Sequence, residues 1–127
     1  MSYRVLIVDD DEDARVLLAR ALARSALPLE VATADDGRQA LDQVAALPPH
    51  LVITDVMMPR LNGFELCIAL RANPTTASIP VIMVTALEDD RDRQHGFAVG
   101  ADDYLTKPFD WGVLTERVAE LIARCYG

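Results

Sequence analysis

Acidic residues follow three apolar runs of this sequence, and they are the first candidates for chemistry. Five acids, Asp9–Asp13, come directly after the run Val5–Val8. Asp35 and Asp36 follow a second run, and Asp55 follows a third. Clustered carboxylates raise one another's pKa unless a cation lies among them. Mg²⁺ is typically bound by one or two carboxylates together with water and phosphate oxygens. The pattern therefore favours a Mg²⁺ site.

Helix capping is the competing explanation for the first acid run. Aspartates are favourable at helix N-termini because the exposed N–H groups and the helix dipole attract negative charge. Capping accounts for the acids at positions 11–13. It does not account for Asp9 and Asp10, which lie where the apolar run ends.

Asp55 stands alone after its apolar run, and Pro59 lies shortly beyond it. It is either a turn aspartate or a nucleophile, since carboxylates attack phosphoryl groups and form aspartyl phosphates. Phosphoryl transfer mainly requires positioning and neutralisation of charge. Thr85, which follows another apolar run, offers a hydroxyl, and Lys107, the single lysine beside eleven arginines, offers a compact positive charge.

Strand-like segments alternate with helix-like segments five times along the chain. Continuous apolar runs are typical of strands buried on both faces, and apolar residues at i, i+3 and i+4 indicate helices. The pattern predicts strands Val5–Val8, Leu29–Ala34, Leu51–Thr54, Pro80–Val84 and Asp103–Thr106, and helices Glu12–Arg24, Gly37–Ala46, Asn62–Arg71, Asp90–Val99 and Asp110–Cys125.

The alternation predicts an α/β fold, a doubly wound five-stranded parallel sheet with helices on both faces. In such sheets ligands bind beyond the carboxyl ends of the strands. The carboxylates, the hydroxyl of Thr85 and the ammonium of Lys107 all follow strands, so we expect them at one edge of the sheet.

Composition limits the class of protein. The 127 residues, 13.9 kDa, fit one domain over residues 1–127, and 51% hydrophobic residues suffice for a core. A net charge of −8 argues against direct binding to nucleic acid or to an anionic membrane. No apolar run approaches the ~20 residues of a membrane helix, so we expect a cytoplasmic protein. Cys67 and Cys125 are expected to be buried or half-buried free thiols.

Taken together, the residues after the strands resemble a known family. Over nearly its whole length the chain resembles the receiver domain of bacterial two-component response regulators. The matching segments are Val8–Asp10, Asp55–Pro59 with Asn62 and Gly63, Val84–Ala86, and Gly100–Phe109. Each is weak alone, but their order and positions make the combination specific.

The resemblance implies a (βα)5 fold with the flavodoxin-like strand order 2-1-3-4-5. It implies that Asp55 accepts a phosphoryl group from a phosphohistidine of a sensor histidine kinase or phosphotransfer protein. It also implies that Mg²⁺ is held by Asp10 directly, by Asp9 mostly through water, by Asp55 and by the Met57 backbone carbonyl. Lys107 and Thr85 would contact the phosphoryl group, and Tyr104 would change rotamer when that group is present. The peptide bond before Pro108 would be cis.

The family's signalling role implies partners other than the kinase. An output domain or downstream protein would bind the face made by the fourth helix, fifth strand and fifth helix, and phosphorylation would allow a homodimer. A domain of this kind is not an enzyme, beyond promoting its own phosphotransfer and dephosphorylation.

Three other functions remain to be weighed against this one. A flavodoxin-like FMN carrier would need hydroxyls and glycines after the first strand, where five acids stand. A phosphatase of the haloacid dehalogenase type would need a second aspartate where Met57 stands. A receiver that acts without phosphorylation is disfavoured by the intact acid, hydroxyl and lysine set.

Overall fold

The computed structural model describes residues 2–127; Met1, part of the predicted domain, lies outside the described residues. Strands and helices alternate from one end of this range to the other. The elements are β1 Tyr3–Val8, α1 Glu12–Ala23, β2 Leu29–Ala34, α2 Gly37–Ala46, β3 Leu51–Thr54, α3 Gly63–Ala72, β4 Val81–Thr85, α4 Asp90–Ala98, β5 Asp103–Thr106 and α5 Trp111–Tyr126.

The five strands form one parallel sheet in the order β2-β1-β3-β4-β5. The predicted fold class and strand order are confirmed. Val8, the last residue of β1, is in register with Thr54, the last residue of β3. The backbone N–H of Asp55 donates to the Val8 carbonyl at 2.9 Å, so the two central strands end side by side.

Two apolar clusters cover the two faces of the sheet. Alternate residues of β1 enter opposite clusters, with Val5 and Ile7 on one face and Leu6 and Val8 on the other. Residues of α1 and α5 complete the first cluster, and residues of α2 and α3 complete the second. This burial on both faces explains why the three central strands, β1, β3 and β4, are largely continuous apolar runs rather than alternating ones.

Each helix begins after a capping aspartate or asparagine whose side chain accepts a hydrogen bond from a backbone N–H group. The caps are Asp11, Asp36, Asn62, Asp89 and Asp110, in the order of the helices. Capping and the first turn of α1 therefore account for the acids at positions 11–13, as the sequence predicts. Asp9 and Asp10 precede the cap and are available for another role.

Most boundaries agree with the sequence-based prediction to within one or two residues. The strand β1 begins at Tyr3 because its polar start pairs with β2, Tyr3 lying opposite Leu29.

The expectation for the cysteines is wrong for Cys125, which is exposed on the last turn of α5, whereas Cys67 is buried. Both are free thiols. Within residues 2–127, no helix is both long and apolar enough to cross a membrane.

Candidate functional site

One lysine joins the carboxylates that follow the two central strands. Lys107 Nζ lies 3.1 Å from Oδ2 of Asp9 and 3.1 Å from Oδ2 of Asp55. The side chains of Asp9 and Asp55 are 2% and 12% exposed, and that of Lys107 is 30% exposed. Three residues far apart in the sequence thus form one partly buried charged centre at the carboxyl edge of the sheet.

Strand order explains why the lysine must be long. Lys107 follows β5, which pairs with β4 and not with β1 or β3. Its backbone N–H donates to the Thr85 carbonyl at 2.7 Å, which fixes the start of the side chain beside the end of β4. From there the flexible stem reaches the ends of the central strands. The Lys107–Pro108 peptide bond is cis.

The carboxylate oxygens that do not face the lysine accept backbone N–H groups. Asp9 Oδ1 accepts from the Asp11 N–H at 3.0 Å, and Asp55 Oδ1 accepts from the Met57 N–H at 3.1 Å. Each bond closes a tight turn directly after a strand, so both carboxylates are held in fixed positions.

Burial and neighbouring charges together set the pKa values of Asp9 and Lys107. Burial raises the pKa of Asp9, although the Asp11 N–H and Lys107 partly oppose it, and the charge of Asp55 adds to the rise. Burial by itself would lower the pKa of Lys107, but Asp55 and Asp9 outweigh it and raise that pKa. The two carboxyl groups therefore face a single ammonium, whose protonated form they stabilise.

This donor set fits a weakly held divalent cation. Asp10 is exposed next to the buried pair, and it lines a groove together with Met57 and Asn62. Among residues 2–127, no three acidic, histidine or cysteine side chains are gathered closely enough to hold a metal by themselves. Mg²⁺ usually needs only one or two carboxylates, with water and phosphate oxygens as its other ligands. Asp9, Asp10, Asp55 and the Met57 carbonyl could supply the protein ligands.

Thr85 and Tyr104 lie behind the charged centre, on neighbouring strands. Thr85 ends β4 and is fully buried; its Oγ1 accepts from the Leu87 N–H at 3.3 Å. Tyr104 lies on β5 with its ring turned inward, 1% exposed, and its hydroxyl donates to the Leu87 carbonyl at 2.8 Å. The guanidinium of Arg93 lies over the ring, 5.3 Å from its centroid.

Sequence reasoning missed one pair of residues beside the site. Arg60 Nε donates to Asp36 Oδ2 at 2.7 Å and ties the loop between β3 and α3 to the start of α2. From the sequence, Asp36 is identified only as an acid that follows a strand. A positive φ of 67° at Arg60 is a conformational feature that residue types do not reveal.

Comparison with known proteins agrees with the geometry. The sequence model of the response regulator receiver domain family matches residues 5–119. The chain belongs to that family. As a receiver domain of two-component signalling it is a phosphoacceptor signalling module, and the predicted family is confirmed.

Curated relatives are response regulators that extend well beyond the receiver domain. The chain is 43% identical over 124 residues to response regulator MprA of Mycolicibacterium vanbaalenii, matching 98% of this chain and 52% of the relative. It is 45% identical over 122 residues to response regulator PleD of Caulobacter vibrioides, matching 95% of this chain and 26% of the relative. The chain thus spans about half or less of these relatives.

Solved structures of receiver domains superpose closely. The signal receiver domain of a signal transduction histidine kinase from Syntrophus aciditrophicus gives a TM-score of 0.90 at 33% identity, covering 98% of this chain and 92% of that one. Chemotaxis protein CheY4 of Vibrio cholerae gives 0.86 at 33% identity, covering 95% and 99%.

Proposed function

We propose that Asp55 is the residue that accepts the phosphoryl group, from a phosphohistidine of a sensor histidine kinase or phosphotransfer protein. The observation that carries this proposal is the environment of the Asp55 carboxylate. It directly follows the central strand β3, with Lys107 Nζ 3.1 Å from Oδ2 and the Met57 N–H on Oδ1. A nucleophile so held can meet an incoming phosphoryl group beside a fixed positive charge.

In the transfer, an Asp55 oxygen attacks phosphorus. The new O–P bond forms as the N–P bond of the phosphohistidine breaks, and a phosphohistidine already protonated at its other ring nitrogen leaves as neutral imidazole. Lys107 then neutralises part of the charge on the phosphoryl oxygens. Mg²⁺, when bound, supplies further neutralisation. Asp10 would hold it directly, Asp9 mostly through water, and Asp55 and the Met57 carbonyl would complete the protein ligands.

Phosphorylation would change the conformation of the residues behind the site, Thr85 and Tyr104. The phosphoryl group adds strong acceptor oxygens, and the Thr85 hydroxyl is the donor we assign to one of them. Tyr104 would then change rotamer and alter the face made by α4, β5 and α5. An output domain, a downstream protein or a second copy of this chain would bind there. The domain would act in the cytoplasm, as a switch and not as an enzyme with its own substrate.

The test of the metal-dependent step uses a small phosphoryl donor in place of the kinase. Acetyl phosphate with Mg²⁺ should add one phosphoryl mass to the intact protein, and excess chelator should abolish the addition. Asp10→Ala should slow it strongly, whereas Asp13→Ala, an exposed acid of the same run, should not. Full labelling in chelator would refute the metal's role.

A further inference from the structure

The loop between Asp55 and α3 contains a strained turn. The N–H of Leu61 donates to the Pro59 carbonyl at 2.7 Å, and the residue between them, Arg60, has a φ of 67°. A three-residue turn with a positive φ at its centre is the rare γ-turn. Glycine would adopt it at little cost, but arginine does so against its steric preference. An arginine here requires a compensating interaction.

That interaction is an ion pair with Asp36. Arg60 places Nε 2.7 Å and Nη2 2.5 Å from the same oxygen, Asp36 Oδ2. The Arg60 side chain is 70% exposed, but that of Asp36 is only 4% exposed. Asp36 Oδ1 caps α2 by accepting from the Gln39 N–H at 2.8 Å. The Gln39 N–H and Arg60 together lower the pKa of Asp36. The pair therefore joins the strained turn to a rigid helix start.

Backbone contacts bring the same two segments together. The Gly37 N–H donates to the Leu61 carbonyl at 3.2 Å, and the Gly63 N–H donates to the Val56 carbonyl at 2.9 Å. A Cβ at Gly37 would lie 2.5 Å from the Leu61 carbonyl oxygen, so only glycine allows this approach. The segment that carries Asp55 and Met57 is thus fixed at both of its ends.

We propose that the Arg60–Asp36 ion pair is a positioning latch, which holds the loop between β3 and α3 so that Asp55 and the Met57 carbonyl are presented together to Mg²⁺. Arg60 and Asp36 act through the loop and touch neither metal nor phosphoryl group. The assignment of Mg²⁺ ligands on which the latch acts rests on the proposed function.

Two variants with charge changes of opposite sign distinguish an effect on loop position from a direct electrostatic effect on Mg²⁺ binding. Asp36→Asn removes a negative charge, keeps an oxygen that can cap α2, and by charge alone would weaken Mg²⁺ binding. Arg60→Gly removes a positive charge, suits the positive φ, and by charge alone would strengthen Mg²⁺ binding. Loss of a latch should weaken binding in both variants, because both free the same loop.

The test compares these variants with Arg117→Ala, which breaks the Arg117–Asp103 pair at the far end of β5. First, without metal, hydrogen exchange at the Gly37 amide should become faster in Asp36→Asn and in Arg60→Gly. Second, a Mg²⁺ titration followed by the Met57 amide shift should give dissociation constants about fivefold higher in both, the lower end of usual coupling between sites. Arg60→Lys should recover part of the loss, since lysine keeps the charge but not the fork.

Several results would overturn the latch. They are unchanged Mg²⁺ affinity in both variants, affinity changes of opposite sign, an equal loss in Arg117→Ala, or wild-type protein that binds no Mg²⁺. These readouts use no phosphoryl donor. If Mg²⁺ binding weakens as expected but Asp55 takes up no phosphoryl group, the latch stands and the proposed phosphoacceptor is wrong.

Discussion

Thr85 and Tyr104 bind opposite sides of the same residue, Leu87. The Thr85 hydroxyl accepts the Leu87 N–H at 3.3 Å, and the Tyr104 hydroxyl donates to the Leu87 carbonyl at 2.8 Å. A movement of Thr85 towards the charged centre would therefore disturb the residue that holds the inward position of Tyr104. This link gives the proposed switch a physical route from β4 to β5.

Removal of the Thr85 hydroxyl should interrupt that route. Beryllofluoride, a mimic of the phosphoryl group, should still bind at Asp55 in Thr85→Ala. The amide shift changes that the mimic produces around Tyr104 and α5 should be lost, because no hydroxyl connects them to the site. Thr33→Ala, at an exposed position of β2, serves as the control. Distant shift changes that persist undiminished in Thr85→Ala would show that the route is wrong.

A methyl group on α4 should push Tyr104 from its inward position. A Cβ at Gly96 would lie 2.9 Å from a carbon of the Tyr104 ring and 3.1 Å from the Met83 sulfur. Gly96→Ala should therefore expose Tyr104 more, although alanine favours a helix over glycine by about 1 kcal/mol.

Fluorotyrosine NMR can check this change. The Tyr104 signal of Gly96→Ala should move towards that of a solvent-exposed tyrosine before any phosphorylation. In Gly112→Ala, the added methyl would meet only the Asp110 carboxylate within 4 Å, so the Tyr104 signal should stay in place. An unchanged Tyr104 signal in Gly96→Ala would mean that the pocket accommodates the methyl without moving the ring.

The buried carboxylate of Asp9 should make the metal-free wild type less stable to unfolding than a variant without that charge. Burial raises its pKa, which means that the charged form is unfavourable in the native state. Asp9→Asn keeps an acceptor for the Asp11 N–H and leaves Lys107 paired with Asp55. Urea unfolding at pH 7 without metal should give Asp9→Asn a free energy of unfolding roughly 1–2 kcal/mol higher than that of wild type. No gain, or a loss, would show that Lys107 fully compensates the buried charge.

The ion pair of Asp36 should make part of the stability depend on pH. Its pKa is lowered below about 3.8 on folding, so its stabilising contribution is present above that pH. The contribution is lost as the pH falls through the folded-state value. Asp36→Asn should accordingly unfold at lower urea than wild type at pH 7, and the difference should close under acid conditions.

Asp42→Asn, which changes an exposed aspartate on α2, controls for net charge in that experiment. Its unfolding curve should follow that of wild type over the whole pH range. A difference between Asp36→Asn and wild type that stays constant down to acid would contradict the role of the Asp36 charge.

Much of this architecture could be predicted from the residues because apolar periodicity and burial have the same cause. Runs such as Leu51–Ile53 are apolar because both faces of the strand are covered, and Asp55 follows where this strand ends. Asp9, Asp55 and Lys107 could be expected at one edge for that reason. The contacts among the three side chains could not be predicted from the sequence. They depend on where the Lys107 backbone is anchored, which is at the Thr85 carbonyl at the end of β4.

Contacts of long arginines were beyond prediction. Arg71, on α3, donates to the carbonyls of Gly100 and Ile79 and to the carboxylate of Asp102. Arg60, in the loop between β3 and α3, pairs with Asp36 at the start of α2. Periodicity places such residues on a helix or in a loop, but the partner of a flexible side chain depends on tertiary packing. Tight turns also escape pattern analysis when arginine occupies the position that glycine would favour.

The central claim is that Asp55 carries the phosphoryl group, and site mapping of the labelled protein tests it most directly. After reaction with acetyl phosphate and Mg²⁺, trapping of the acyl phosphate and peptide mass analysis should place one modification at Asp55. Asp55→Asn should lose the added mass, whereas Asp42→Asn should keep it. Undiminished labelling of Asp55→Asn, or a modification mapped to another aspartate of the wild type, would contradict the account.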